Sequence, residues 1–229
     1  MNLYMIVEGK KTETSVYPAW LNILAPRLQR VDDPRALTDN CYYLFSGEGI
    51  PSIYNHACNA ILDIQQINKG YYKYDYLLIC LDTEEGTRAD IDREYNEYLQ
   101  KNKVNPQGVN VVICEHRVCM ETWFLGNCFI FKQNANTPEF IECVQHYDVS
   151  IDDPELMPSF DAEKNKAEYH LYYLKKMFAE RNMIYKKTKT DEVQRPEYLN
   201  QLISRYKETG HISTFGQWCD FIITNFGRP

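Results

Sequence analysis

Tyr74-Asp-Tyr-Leu-Leu-Ile-Cys-Leu81, running directly into Asp82-Thr-Glu84-Glu85-Gly86, is the stretch that decides the fold. A short, uninterrupted apolar run bounded by turn residues reads as a strand buried on both faces. Such strands belong to parallel sheets covered by helices. Three further runs have the same character. Asn2 to Val7 stops at Glu8-Gly9, Cys41 to Phe45 runs into Gly47-Glu48-Gly49, and Val109 to Cys114 reads VNVVIC.

Helical periodicity fills the gaps between them. After Thr14 or Ser15 as a cap, with Pro18 in the first turn, Val16, Trp20, Ile23 and Leu24 recur at helical spacing. Pro51 opens a segment carrying Ile53, Ala57, Ala60, Ile61 and Ile64 on one face. A polar helix is expected from Asp90 to Lys101, with Asp90 and Asp92 at its start. Strands alternating with helices predict an α/β, Rossmann-like fold with a mainly parallel sheet and right-handed crossovers. Beyond 127 the pattern changes. Asp152-Asp153-Pro154 and Met157-Pro158 suggest an irregular connection, and helices are expected over Glu163 to Glu180 and Glu197 to Tyr206. A last helix, capped by Ser213, carries Phe215, Trp218, Cys219, Ile222, Ile223 and Phe226 on one face. The expected organisation is an α/β domain over 1–126 and a mostly helical extension over 127–229 packed on it.

The 229 residues have ordinary globular composition, with 44% hydrophobic and 25% charged side chains, which excludes disorder and fibrous repeats as descriptions of the whole chain. No stretch approaches the ~18 consecutive apolar residues of a membrane span. The N-terminus turns charged at Glu8 before an apolar signal region could form, so a cytoplasmic protein is expected. None of the eight cysteines forms a CxxC pair, and they read as reduced small hydrophobes. Cys114, His116 and Cys119 form a CxHxxC that lacks the partner cluster a zinc site needs.

Sites in open parallel sheets form beyond the carboxyl ends of the strands. Two strands here end in acids: Val7 runs into Glu8, and Leu81 into Asp82, with Glu84 on the same side of an extended segment. If the strands are neighbours, Glu8, Asp82 and Glu84 converge on one rim. Two like charges about 4 Å apart cost about 4 kcal/mol at an effective dielectric of 20, so either one carboxyl is protonated or a cation sits among them. All-oxygen ligands select Mg²⁺ or Mn²⁺. Taken singly, each acid also reads as an ordinary cap or turn residue.

Tyr4-Met-Ile-Val-Glu8-Gly9-Lys followed by Leu78-Ile-Cys-Leu-Asp82-Thr-Glu84 resembles the Toprim family, over roughly residues 1 to 126. Glu8-Gly9-Lys10-Lys11-Thr12-Glu13 resembles the EGxKTE stretch of RloB-like and OLD-like Toprim proteins. Cys119-Met-Glu121-Thr-Trp-Phe-Leu125 resembles the later CFExWLL stretch of the RloB-like group. Position 84 is Glu where the family usually has Asp, which keeps the charge and lengthens the arm. The resemblance implies a metal-dependent endonuclease. Glu8, Asp82 and Glu84 would be catalytic, and Glu8, Glu13, Asp82, Glu84 and Glu121 would hold Mg²⁺ or Mn²⁺. It also implies a role in prokaryotic anti-phage defence, often beside an ABC-type ATPase. The chain has no GxxxxGK[ST] phosphate loop of its own. For Glu13 and Glu121 the plain alternatives are a helix first turn and a helix surface.

Between Lys164 and Lys189 there are eight basic residues and two acidic ones, a surplus of six in a chain whose total is −7. Tyr169, Tyr172, Tyr173, Phe178 and Tyr185 are interleaved with them. Basic and aromatic side chains together suit nucleic acid, DNA or RNA and possibly tRNA. At helical spacing the tyrosines read equally as core. Lys186, Lys187 and Lys189 leave the helical pattern and are candidates for phosphate, as are Lys10 and Lys11. Two other function classes stay open: a non-catalytic Toprim-like module that binds nucleic acid or a nucleotide, and a partner subunit of an ATPase complex.

Overall fold

The computed structural model describes residues 1–134, 136–160 and 165–227. Glu163, the expected start of the helix running to Glu180, and Lys164, the start of the basic segment, lie outside the described residues. Five strands form one sheet: β1 (Leu3–Val7), β2 (Gln29–Val31), β3 (Cys41–Ser46), β4 (Tyr76–Asp82) and β5 (Val111–His116). Their order is β2-β3-β1-β4-β5. β1 pairs parallel with β3 and with β4, and β2 pairs parallel with β3. Leu77 N donates to Asn110 O and Thr83 N to His116 O, an advance in step that makes β5 parallel as well. The chain is therefore α/β with a wholly parallel sheet.

The chain divides into two compact units. The first holds Met1–Leu81, Gly86–Glu115 and the chain from Asp220 on. Helix α1 (Thr12–Leu24) follows β1, α2 (Ser52–Ile67) follows β3 and α3 (Arg88–Asn102) follows β4. From β1 the chain crosses towards β3, and from β3 it crosses back over β1 to β4. Right-handed crossovers then place α1 on one face and α2 and α3 on the other. The buried side chains agree. Tyr4, Ile6, Leu77, Ile79 and Leu81 pack with Ile53, Ile61, Ile64, Ile91 and Leu99 of α2 and α3. On the opposite face, Tyr17 of α1 is hydrogen-bonded to Cys80 beside Cys114. Each fully buried aliphatic side chain here is worth about 1.5–3 kcal/mol relative to exposure.

Local details differ from the sequence expectation. Helix α1 starts at Thr12, so Pro18 lies inside it. The Glu13 carboxylate accepts the Gly9 N–H at 2.9 Å and satisfies the helix entry in place of a Ser or Thr cap. A Cβ at Gly9 would collide with that carboxylate, so any larger residue requires the Glu13 side chain to move and give up this bond. Asp90 is a helix-start residue as expected, in a reciprocal capping box with Thr87. β2 has only three residues and no apolar run to announce it.

The second unit comprises Asp82–Glu85 and His116–Cys219. It is built from α4 (Met120–Leu125), α5 (Pro138–His146), a 3₁₀ turn (Pro154–Leu156), α6 (Lys166–Ala179), α7 (Pro196–Thr209) and the first half of α8 (Ser213–Phe226). Helix α5 is additional to the expected set. Its entry is held by Glu180, which accepts from Thr137 N, Thr137 Oγ1 and Asn136 N and pairs with Lys132 Nζ at 3.2 Å. Ser213 does not cap α8. Its hydroxyl and the Thr214 N–H both donate to the buried Glu155 carboxylate. Trp123, Phe124, Tyr169, Tyr173, Phe178, Phe215 and Trp218 form the aromatic core. Tyr169, Tyr173, Phe178 and Tyr185 are thus core side chains and do not serve as stacking platforms. Among the described residues no helix is long and apolar enough to cross a membrane.

Candidate functional site

The sheet has its switch point between β1 and β4. The loop leaving β1 leads to α1 on one face, and the loop leaving β4 leads to α3 on the other. Such divergence opens a crevice at the carboxyl ends of the two strands, where ligands of doubly wound sheets bind. The register pairs Val7 with Cys80, so Glu8 extends β1, and Asp82 ends β4, at the same edge of the sheet.

In the first unit, Glu8 is partly buried, and its carbonyl accepts from Ser46 Oγ at 3.0 Å and from Gly49 N at 3.2 Å. These bonds tie the loop after β1 to the loop after β3. Glu13 is buried against Gly9. Lys10 is exposed and pairs with Glu48 at 2.8 Å, and Lys11 is exposed.

The second unit gathers the later acids. Asp82 Oδ1 lies 2.6 Å from Nδ1 of the buried His116, close enough for the two side chains to share an ion. Asp82 also accepts the Met120 N–H at the start of α4. The segment after β4 is zipped to the segment after β5. Thr83 N donates to His116 O, Glu84 N donates to Val118 O at 2.9 Å, and Val118 N donates to Thr83 Oγ1 at 2.8 Å. Two of these residues have left-handed backbone, Glu84 at φ 48° and Val118 at φ 71°. A β-branched residue there is strained by about 1–3 kcal/mol, a cost that recurs where structure is held for function.

Glu121, in the first turn of α4, has a side chain only 3% exposed. It does not lie on a helix surface. Its Oε1 accepts from Tyr185 Oη at 3.0 Å and faces Lys187 Nζ at 3.8 Å. Burial pushes the Asp82 carboxyl well above the usual carboxylate range. Glu121 and then Glu84 push it the same way, and Lys187 opposes them. Cys119, beside them, is a thiol that burial first, and then Glu121 and Asp82, push well above the usual thiol range. It bonds Thr122, so it supplies no zinc ligand in the CxHxxC sense.

Glu121 and Glu84 thus both act on the Asp82 carboxyl, with Glu84 exposed to solvent. Lys187 differs from the expectation. It is turned onto Glu121 and is not an unengaged phosphate contact. Lys186 and Lys189 remain exposed. Sequence reasoning missed His116 and Tyr185 as site residues. His116 ends β5, the next strand along, so the rule that led to Asp82 could have reached it. Nothing local marks Tyr185, 64 residues from its partner.

The chain is thus a parallel α/β protein whose second unit carries a half-sealed acidic cluster around Asp82. Comparison with family profiles, with curated proteins and with solved structures finds no match to this chain.

Proposed function

We propose that the chain is a Mg²⁺- or Mn²⁺-dependent Toprim-type endonuclease that cleaves phosphodiester bonds in DNA or RNA. The observation that carries this reading is the cluster of Asp82, Glu84 and Glu121, in which burial first, and then Glu121 and Glu84, raise the Asp82 carboxyl above its usual range. Hard oxygen donors under mutual repulsion fit a hard divalent cation. Asp82, Glu84 and Glu121 would hold it, and by the resemblance Glu8, just after β1, and Glu13, in the first turn of α1, contribute. A bound divalent cation neutralises charge on the phosphoryl oxygens and lowers the pKa of water.

The chain's own residues supply orientation. His116 and the Met120 amide fix the Asp82 carboxylate, as outer partners of metal ligands do. Tyr185 fixes Glu121. Lys186 and Lys189 offer exposed charge to a phosphate backbone. Service as a defence effector, with gating by a separate ABC-type ATPase, follows the same resemblance. The test is cleavage of DNA and RNA in Mg²⁺ or Mn²⁺ by the wild type, Glu8→Ala and Asp82→Ala. Cleavage by the wild type that both substitutions abolish is expected, and cleavage that survives them refutes the assignment. The Lys187–Glu121 pair favours one second reading, a non-catalytic module that binds nucleic acid or a nucleotide, because the cluster is partly neutralised already. Salt-sensitive binding without cleavage would select it.

A further inference from the structure

Three lysines lie in the short segment after α6, and only one of them turns inward. Lys189 N donates to Lys186 O at 2.8 Å, which closes a tight turn. Lys186 and Lys189 flank it in solvent. Tyr185, immediately before, is buried and anchors the segment by donating to Glu121 Oε1 at 3.0 Å. The turn then carries Lys187 Nζ to 3.8 Å from the same oxygen. The lysine side chain is 56% exposed and the glutamate side chain 3%. The arm thus reaches in from solvent to a carboxylate that is otherwise sealed. A buried carboxylate needs a positive charge close by, and a flexible ammonium supplies it without fixing a ligand geometry.

We propose that Lys187 is an internal counter-ion that stands in for the divalent cation at Glu121, and that cation binding displaces it. This rests on the metal-site reading above. An ammonium and a divalent ion repel each other, and both draw on the same carboxylate oxygen. Whichever is absent leaves Glu121 to the other. The lysine keeps the empty site neutral enough to stay folded and weakens its affinity for the metal. Loading the metal frees the Lys186–Lys189 turn.

The experiment is calorimetric titration of the full chain with MnCl₂, and separately with MgCl₂, for wild type, Lys187→Met, Lys187→Arg and Asp82→Asn, with melting curves in EDTA and in 10 mM metal. Lys187→Met is expected to bind Mn²⁺ about tenfold more tightly than wild type, the size of a partly screened unit charge. Lys187→Arg is expected to stay near wild type. In EDTA, Lys187→Met is expected to melt below wild type and to recover the difference in metal. Metal bound by Lys187→Met but not by wild type also supports the proposal. Equal or weaker binding by Lys187→Met, with binding lost in Asp82→Asn, overturns the counter-ion role and leaves the metal site standing. Unchanged binding in Asp82→Asn, or no binding in wild type and Lys187→Met alike, overturns the metal-site reading and the counter-ion role with it.

Discussion

Replacing Glu121 with glutamine isolates the electrostatics of the cluster. The amide keeps the shape of the side chain, and its oxygen still accepts from Tyr185 Oη. Two terms change with opposite sign: repulsion from Asp82 and Glu84 disappears, and so does attraction to Lys187. A pair of unit charges about 4 Å apart is worth about 4 kcal/mol at an effective dielectric near 20. Lys187 is 56% exposed, and screening reduces its pair to about 1 kcal/mol. Glu121 is 3% exposed and keeps more of its repulsion, together with the cost of burying its own charge. The expected result is a gain of about 1–3 kcal/mol in metal-free buffer at neutral pH, or about 2–4 °C in Tm per kcal/mol for a chain of this size. The gain also has a pH signature. The folded state holds the Asp82 proton more tightly than the unfolded state, so wild-type stability falls as pH rises above the ordinary aspartate range. Relief of that burden in Glu121→Gln vanishes in acid. With 10 mM Mg²⁺, wild type gains stability by binding and the variant does not, so the gap closes. Thermal melts by circular dichroism in EDTA and in Mg²⁺ measure both effects. A variant that melts below wild type in EDTA refutes the reasoning, because it makes the Glu121 charge a net stabiliser.

Further expectations follow from single contacts. Gly9→Ala drives a methyl group into the Glu13 carboxylate and should cost roughly 1–3 kcal/mol, read by urea unfolding; Glu13→Ala in the same chain should return part of that loss. Glu180, held down to about 2 by the Thr137 hydroxyl and amide, contributes stability that is full above the ordinary glutamate range and lost as pH falls towards 2. Glu180→Gln should flatten that acid limb and lower stability at pH 7 by about 1 kcal/mol, the size of a hydrogen bond that loses its charge. His170 is buried on Thr122, its Nε2 has no hydrogen-bond partner among the described residues, and burial lowers its pKa to about 3. It stays neutral in the folded chain while the unfolded chain takes up a proton, so stability drops as pH falls from about 6.5 towards 3. His170→Leu should remove that part of the pH dependence in acid-unfolding curves.

Much of the sheet was legible in the sequence because burial on both faces leaves an unbroken apolar run, as in Leu77 to Leu81. β2 was not, since Gln29–Val31 is a short polar strand at the edge of the sheet. α1 was misplaced at its start because the group that satisfies its entry is Glu13, inside the helix, and not a preceding hydroxyl. α5 escaped notice because a nine-residue helix shows too few turns for its period to stand out, although Thr137-Pro138 was a usable start signal. Asp82 and Glu84 were readable from the end of one strand. The burial of Glu121 and the inward turn of Lys187 depend on where α4 and the segment after α6 come to lie, which no local pattern encodes.

The most direct test of the metal-site claim is a crystal grown or soaked with Mn²⁺ and measured for anomalous scattering. The account predicts a peak within coordination distance, about 2.0–2.3 Å, of carboxylate oxygens of Asp82 and Glu121, with Lys187 Nζ moved off Glu121. Full Mn²⁺ occupancy elsewhere on the chain, with none at Asp82 and with Lys187 still on Glu121, would contradict it.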